Sequence, residues 1–170
     1  MTQGDTKPGL GLAAGLSWAE LESLAAALAA PESHALLACV DRLLNQHVGH
    51  KLFTALQYRH AEGLAVRLYS SRPDIYPASG AKQIGGAPAL TRMFETGRAQ
   101  LAPDAAAVRA DFLDASSIFA LGCESVLNVP VMHRGQLLGQ INLLHDAHHF
   151  QPHHVGIAST LAQMAAVAFR

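Results

Sequence analysis

Three carboxamides, one thiol and a run of aromatic loop residues are the side chains of this sequence best able to do chemistry. Asn128, Gln140 and Asn142 stand in stretches that are otherwise apolar, ESVLNVPVM and QLLGQINLLH. A buried amide must find donors and acceptors. A bound small molecule supplies them, and so does the backbone of a neighbouring loop. On this ground Asn142 and Asn128 are the leading polar candidates for ligand contact. Cys123 opens the same region, where an ionised thiol would serve as nucleophile or redox group. YSSRPDIYP brings Tyr69, Ser71, Arg72 and Tyr76 to the exit of a strand. Loops carried on a rigid sheet are where binding groups concentrate, although aromatics there also hold a loop down on itself. Phe94, Phe112 and Phe119 are core residues or apolar pocket wall, or both.

Other chemistries find little support. The ten histidines include HDAHHFQPHH, but no pair at i, i+4 encloses a glutamate and no cysteine is near, so a dedicated metal site is not expected. No glycine-rich phosphate loop joins a strand to a helix, and no cofactor motif is present. Paired carboxylates and a nucleophile elbow are both missing. With 12 Lys and Arg against 13 Asp and Glu, no basic element suggests a nucleic-acid partner. No apolar run approaches the roughly 20 residues of a membrane span. The first residues lack the basic segment of a signal peptide, which reads as cytoplasmic. Two cysteines, Cys39 and Cys123, make no disulfide framework.

The elements that must position these groups follow from periodicity. The segment 124–146 reads as two strands joined by a turn at Arg134-Gly135, with Gly135 supplying positive φ. Both strands are apolar on both faces, so both faces are covered. Pairing His133 with Gln136 and counting outward sets Leu127 opposite Asn142 and Asn128 opposite Ile141. Ser125, Gln140 and Asn142 then share one face and Asn128 takes the other. Ser125 joins the candidates on that basis. Upstream, residues 1–16 read as a flexible tail, and residues 17–170 as one domain. Ser17 and Glu20 form a capping box for an alanine-rich helix that Pro31 ends. A second helix covers 32–46, with Leu36, Leu37, Val40, Leu43 and Leu44 on one stripe. Strands at 51–59 and 63–71 form a hairpin, and 71–88 is loop. Short helices follow at 89–96 and after Asp104, with a short strand between them. A last helix starts near Pro152. This is an α+β order on an antiparallel sheet of five or six strands, with terminal helices on one face and loops and short helices on the other.

That order, together with Ser125, Leu127, Val129, Pro130, Gly135, Gly139, Ile141 and Leu143, resembles the GAF domain family. The resemblance implies a small-molecule pocket under the loops and short helices, a sensory or regulatory role in signal transduction, and frequent pairing through terminal helices. The chain lacks the Asn-Lys-x-Phe-Asp-Glu pattern of the cyclic-nucleotide binders and the flanks of a bilin-attachment cysteine. It is similar to free methionine-R-sulfoxide reductase in the strand from Ser125 to Val129-Pro130, but departs from it where that chemistry resides. The acidic positions fall on Val126, Asn142 and Leu144, and the catalytic cysteine falls near Phe119. The expectation is therefore a non-catalytic module that binds a small metabolite without a cofactor or metal, with a thiol-dependent redox enzyme as the alternative. The narrow leucine stripe of the first helix and the small residues of LAQMAAVAFR lead to an expected homodimer through the terminal helices.

Overall fold

The computed structural model describes residues 15–170. The tail expected over 1–16 lies outside them but for Gly15 and Leu16. The first helix, α1 (Trp18–Ala29), starts where Ser17 and Glu20 cap each other, and α2 (Ser33–His47) follows Pro31. Glu20 also meets His47 of α2 at 2.7 Å. The Ser17 backbone and hydroxyl hydrogen bonds, and then His47, hold its carboxyl down at about 2. Two strands, β1 (Leu52–Arg59) and β2 (Leu64–Ser70), pair through a short helical turn whose closing Gly63 has φ +65°.

The stretch 71–88 is not all loop. It contains β3 (Ala81–Gln83), paired antiparallel to β2. Three residues with one half-buried position are too short for periodicity to register. The segment 88–120 then carries α3 (Pro88–Thr96), β4 (Gln100–Ala102), α4 (Ala105–Asp111) and α5 (Ala115–Ala120). Gly97 ends α3 at φ +57°, and the Asp104 carboxylate accepts from Ala107 N to cap α4. The central hairpin is β5 (Ser125–His133) and β6 (Gln136–His145). Its turn has positive φ at both Arg134 and Gly135, the twist that suits a two-residue hairpin. The chain closes with α6 (Pro152–Met164) and a short 3₁₀ helix, Ala165–Phe169.

All pairings are antiparallel, and the sheet order is β3-β2-β1-β6-β5-β4. One face meets α2, α6 and the 3₁₀ helix around Phe53, Leu127, Ile141, Leu143 and Leu161. The other face meets the segments between β2 and β5 around Val126, Val108, Ile118 and Met93. The first helix packs on α2 and leaves Trp18 83% exposed, with Leu21 and Leu28 also out. The C-terminal apolar residues turn inward instead: Leu161, Ala165 and Phe169 are buried, and only Val167 is half exposed.

The register of the hairpin corrects the expected one. Val131 pairs with Gly139 and Met132 with Leu137, so Leu138 is an extra residue. This bulge shifts everything beyond it by one, and a one-residue shift exchanges the faces. Asn128 therefore lies opposite Asn142, and Leu127 opposite Leu143. A second bulge sits between β1 and β2. Ala55 pairs with Tyr69 and Leu56 with Arg67, skipping Leu68.

Candidate functional site

A cavity of about 60 Å³ lies between the non-helical face of the sheet and the segments that cross it. Leu52, Thr54 and Leu56 of β1, Val126 and Asn128 of β5, and Gln140, Asn142 and Leu144 of β6 form its floor. These residues share a face only because of the bulge at Leu138. Phe112 and Ile118 close the far side, and Tyr76, Lys82 and Arg67 the near one. The space takes roughly four to six water-sized groups at ~10–15 Å³ each.

The floor carries a relay of buried polar groups. Tyr58 donates its hydroxyl to Gln140 Oε1, Gln140 Nε2 donates to Asn142 Oδ1, and Asn142 Nδ2 donates to Thr54 Oγ1 at 2.9 Å. Each amide oxygen thus accepts and each amide nitrogen donates, which fixes their orientation. Burial holds the Tyr58 phenol neutral, far above its usual range. Asn128 does not join. Its Oδ1 is buried with no partner.

Charge enters from the near side. Lys82 Nζ meets Asp114 Oδ2 at 2.8 Å, and the Tyr76 hydroxyl donates to the same oxygen at 3.3 Å. Arg67 reaches over the Tyr76 ring, 5.1 Å from its centroid, and donates from Nη1 to Pro77 O at 2.8 Å. Arg67 is 8% exposed, makes no ion pair among the described residues, and leaves Nε without a partner. Burial lowers its pKa.

Asn142, Asn128, Tyr76 and Phe112 thus meet at one cavity. The other candidates stand apart from it. Tyr69 lies on the helix face, donating to Asp41 Oδ2 at 2.8 Å and packing edge-on against Phe53. The bulge at Leu68 separates it from Arg67, with which simple alternation would have grouped it. Ser71 accepts from Phe53 N, and Arg72 is paired with Asp74. Both line a separate open cleft with Asp41, Arg42 and Lys51. Ser125 donates to Asp146 O at 2.7 Å; it shares the helix face with Leu127, and the true register moves Gln140 and Asn142 to the opposite face. Phe94 packs outward on His60 and Tyr58. Phe119 lies under the Arg109 guanidinium at the edge of the apolar cluster. Cys123 is wholly buried, and burial pushes its thiol up to about 11 despite nearby Lys51.

Sequence reasoning passed over Thr54, Arg67, Lys82 and Asp114. Arg67 left one signal, a charge in the middle of the strand LAVRLYS. Lys82 and Asp114 left none, since each comes from a segment with no periodic pattern. In the histidine run, His145 stacks on His149 at 3.5 Å. Among the described residues, no group of three or more His, Cys, Asp or Glu is placed to hold a metal ion. No described helix is long and apolar enough to cross a membrane.

A family model described as GAF domain matches residues 19–169. No curated protein matches the chain. Among solved structures, the GAF domain of a phosphoenolpyruvate-protein phosphotransferase from Coxiella burnetii aligns with a TM-score of 0.71 at 19% identity, over 87% of this chain and 90% of that one. Free methionine-R-sulfoxide reductase from Neisseria meningitidis, in complex with its substrate, aligns at 0.70 and 16%, over 88% and 85%. A domain of a two-component sensor histidine kinase protein from Sinorhizobium meliloti aligns at 0.60 and 15%, over 78% and 87%. At these identities the likeness is one of fold.

Proposed function

The chain belongs to the GAF domain family, and from that premise we propose that it is a non-catalytic sensory or regulatory module that binds a small metabolite. The observation that carries the reading is the cavity over the sheet, floored by the amides of Asn128, Gln140 and Asn142. It is concave and mostly apolar, with a few convergent polar groups, the usual form of a small-molecule site. Its volume admits a compact metabolite. Fold neighbours from signalling proteins support the sensory role. The cytoplasm suits a chain whose two cysteines are both buried and unpaired.

The redox alternative requires a thiolate that substrate can reach. Cys123 is fully buried, with a pKa pushed up to about 11. A thiol in that state is a poor nucleophile at neutral pH.

The ligand reading predicts that native mass spectrometry of the purified protein, or a metabolite thermal-shift panel, finds a compound that stabilises it by mass action. Stabilisation at 100 times Kd is about 2.7 kcal/mol. A panel that covers the small metabolites and shifts nothing would overturn the reading.

We also propose a homodimer through the terminal helices, with α1 supplying the contact. Trp18, Leu21 and Leu28 repeat at helical spacing on its outer side and remain exposed among the described residues, Trp18 most of all. Two-fold pairing of that stripe buries it on both copies. Light scattering at micromolar concentration is expected to give a dimer, and Trp18→Glu a monomer. A wild-type mass near 18.0 kDa would rule the dimer out.

A further inference from the structure

We infer that the ligand of this cavity is a short-chain hydroxy acid, a monoanion whose carboxylate is taken by Arg67 and whose hydroxyl donates to Asn128. The inference rests on the small-molecule reading above and narrows it to a chemical class.

The first observation is a charge without a counter-charge. The cavity wall carries two cations, Arg67 and Lys82, and one anion, Asp114. Lys82 and Asp114 neutralise each other at 2.8 Å. One positive charge is left over, on Arg67, which is 8% exposed. A buried guanidinium normally carries a carboxylate or equivalent partner, because leaving it alone is costly. Here one nitrogen reaches the Pro77 carbonyl, a ring face offers its π electrons, and Nε has nothing. The guanidinium is also held in place. Its backbone bonds both ways to the loop at Ser79 and Gly80. A side chain at Gly80 would meet Nη1 at 2.6 Å. A fixed, planar, unpaired guanidinium on a cavity wall is a carboxylate receptor.

The second observation is independent and opposite in sense. Asn128, 2% exposed, has a buried Oδ1 that accepts from nothing. The neighbouring amides are committed to Tyr58, Thr54 and each other. Asn128 Oδ1 requires a donor, and a hydroxyl or amine on the ligand supplies one. The charge count decides between them. A hydroxy acid brings one negative charge and leaves the site neutral. An amino acid is a zwitterion, so it leaves the excess positive charge in place and adds an ammonium to a wall that already carries two cations. The remaining wall, Leu52, Val126, Ile118 and Leu144, takes a short aliphatic chain.

The test is a titration series on the full chain with hydroxy acids of increasing length, starting from glycolate and lactate and including 3-hydroxybutyrate. Each is compared with its primary amide, its deoxy acid and the amino acid of the same skeleton. At least one hydroxy acid is expected to raise the unfolding midpoint. It should bind roughly tenfold or more tightly than its amide. It should bind roughly three- to tenfold more tightly than its deoxy acid. Arg67→Met should abolish the preference for acid over amide, and Asn128→Leu the preference for hydroxyl over hydrogen. The comparison of acid with amide needs only the wild-type protein, so it stands whether or not the variants fold. If no acid is preferred to its amide, or if an amino acid binds more tightly than its hydroxy counterpart, the class is wrong. Either result leaves the small-molecule reading intact, because the unbiased panel decides that separately.

Discussion

Gly139→Ala is expected to cost about 3 kcal/mol or more, the range in which overpacking becomes exceptional. Gly139 lies on β6 beside the bulge and pairs with Gln57 of β1. A Cβ built there meets the Leu56 carbonyl oxygen at 2.0 Å and Phe169 Cδ1 at 2.9 Å. Phe169 could swing aside at the expense of its own burial. The Leu56 carbonyl cannot, because it belongs to the central β1–β6 ladder. Relief requires separating two strands in the middle of the sheet, and that separation also opens the cavity floor, which both strands share. Chemical denaturation of the variant should show a midpoint far below wild type, or no cooperative transition. A stability equal to wild type would mean that the two strands are not as close as described.

Asn142→Leu is expected to lose about 1–3 kcal/mol, the cost of leaving a buried polar group without its partner. Asn142 links Gln140 to Thr54. Leucine there strands the Gln140 amide nitrogen in the core. Asn128→Leu carries the opposite expectation. Its Oδ1 is already unpaired, so an apolar side chain of similar volume is neutral or stabilising in the empty protein. The two substitutions differ by a hydrogen-bond count, not by position, since Asn128 and Asn142 are directly opposed across the strands. Urea denaturation of both, without ligand, checks the difference. Equal losses would refute the relay. Asn128 is also the cleaner probe of ligand binding, because changing it leaves the relay from Tyr58 to Thr54 untouched.

The α+β order, the capping box at Ser17, the glycine end of α3 at Gly97, the Asp104 cap and the turn at Arg134-Gly135 all stand in the sequence. Each is a local device, and the groups that satisfy it lie within a few residues. The family is legible for the same reason, since the pattern of the last hairpin is contiguous. Besides the three-residue β3, two things that shape the site were not legible. One is which side chains share the cavity. Both strands of the last hairpin are apolar on both faces, so a slip of one residue leaves their hydrophobic pattern unchanged, and nothing local marks Leu138 or Leu68 as a bulge. The bulge at Leu138 brings Asn128 and Asn142 to one face, and the bulge at Leu68 turns Arg67 to the cavity and Tyr69 to the helices. The other is the charge balance of the site. Arg67, Lys82 and Asp114 come from β2, β3 and the link between α4 and α5. Their meeting depends on long-range pairing and on the path of chain segments over the sheet, and sequence distance does not encode either. Residue types thus fixed the elements and the family, while the position of two extra residues in the sheet fixed the site.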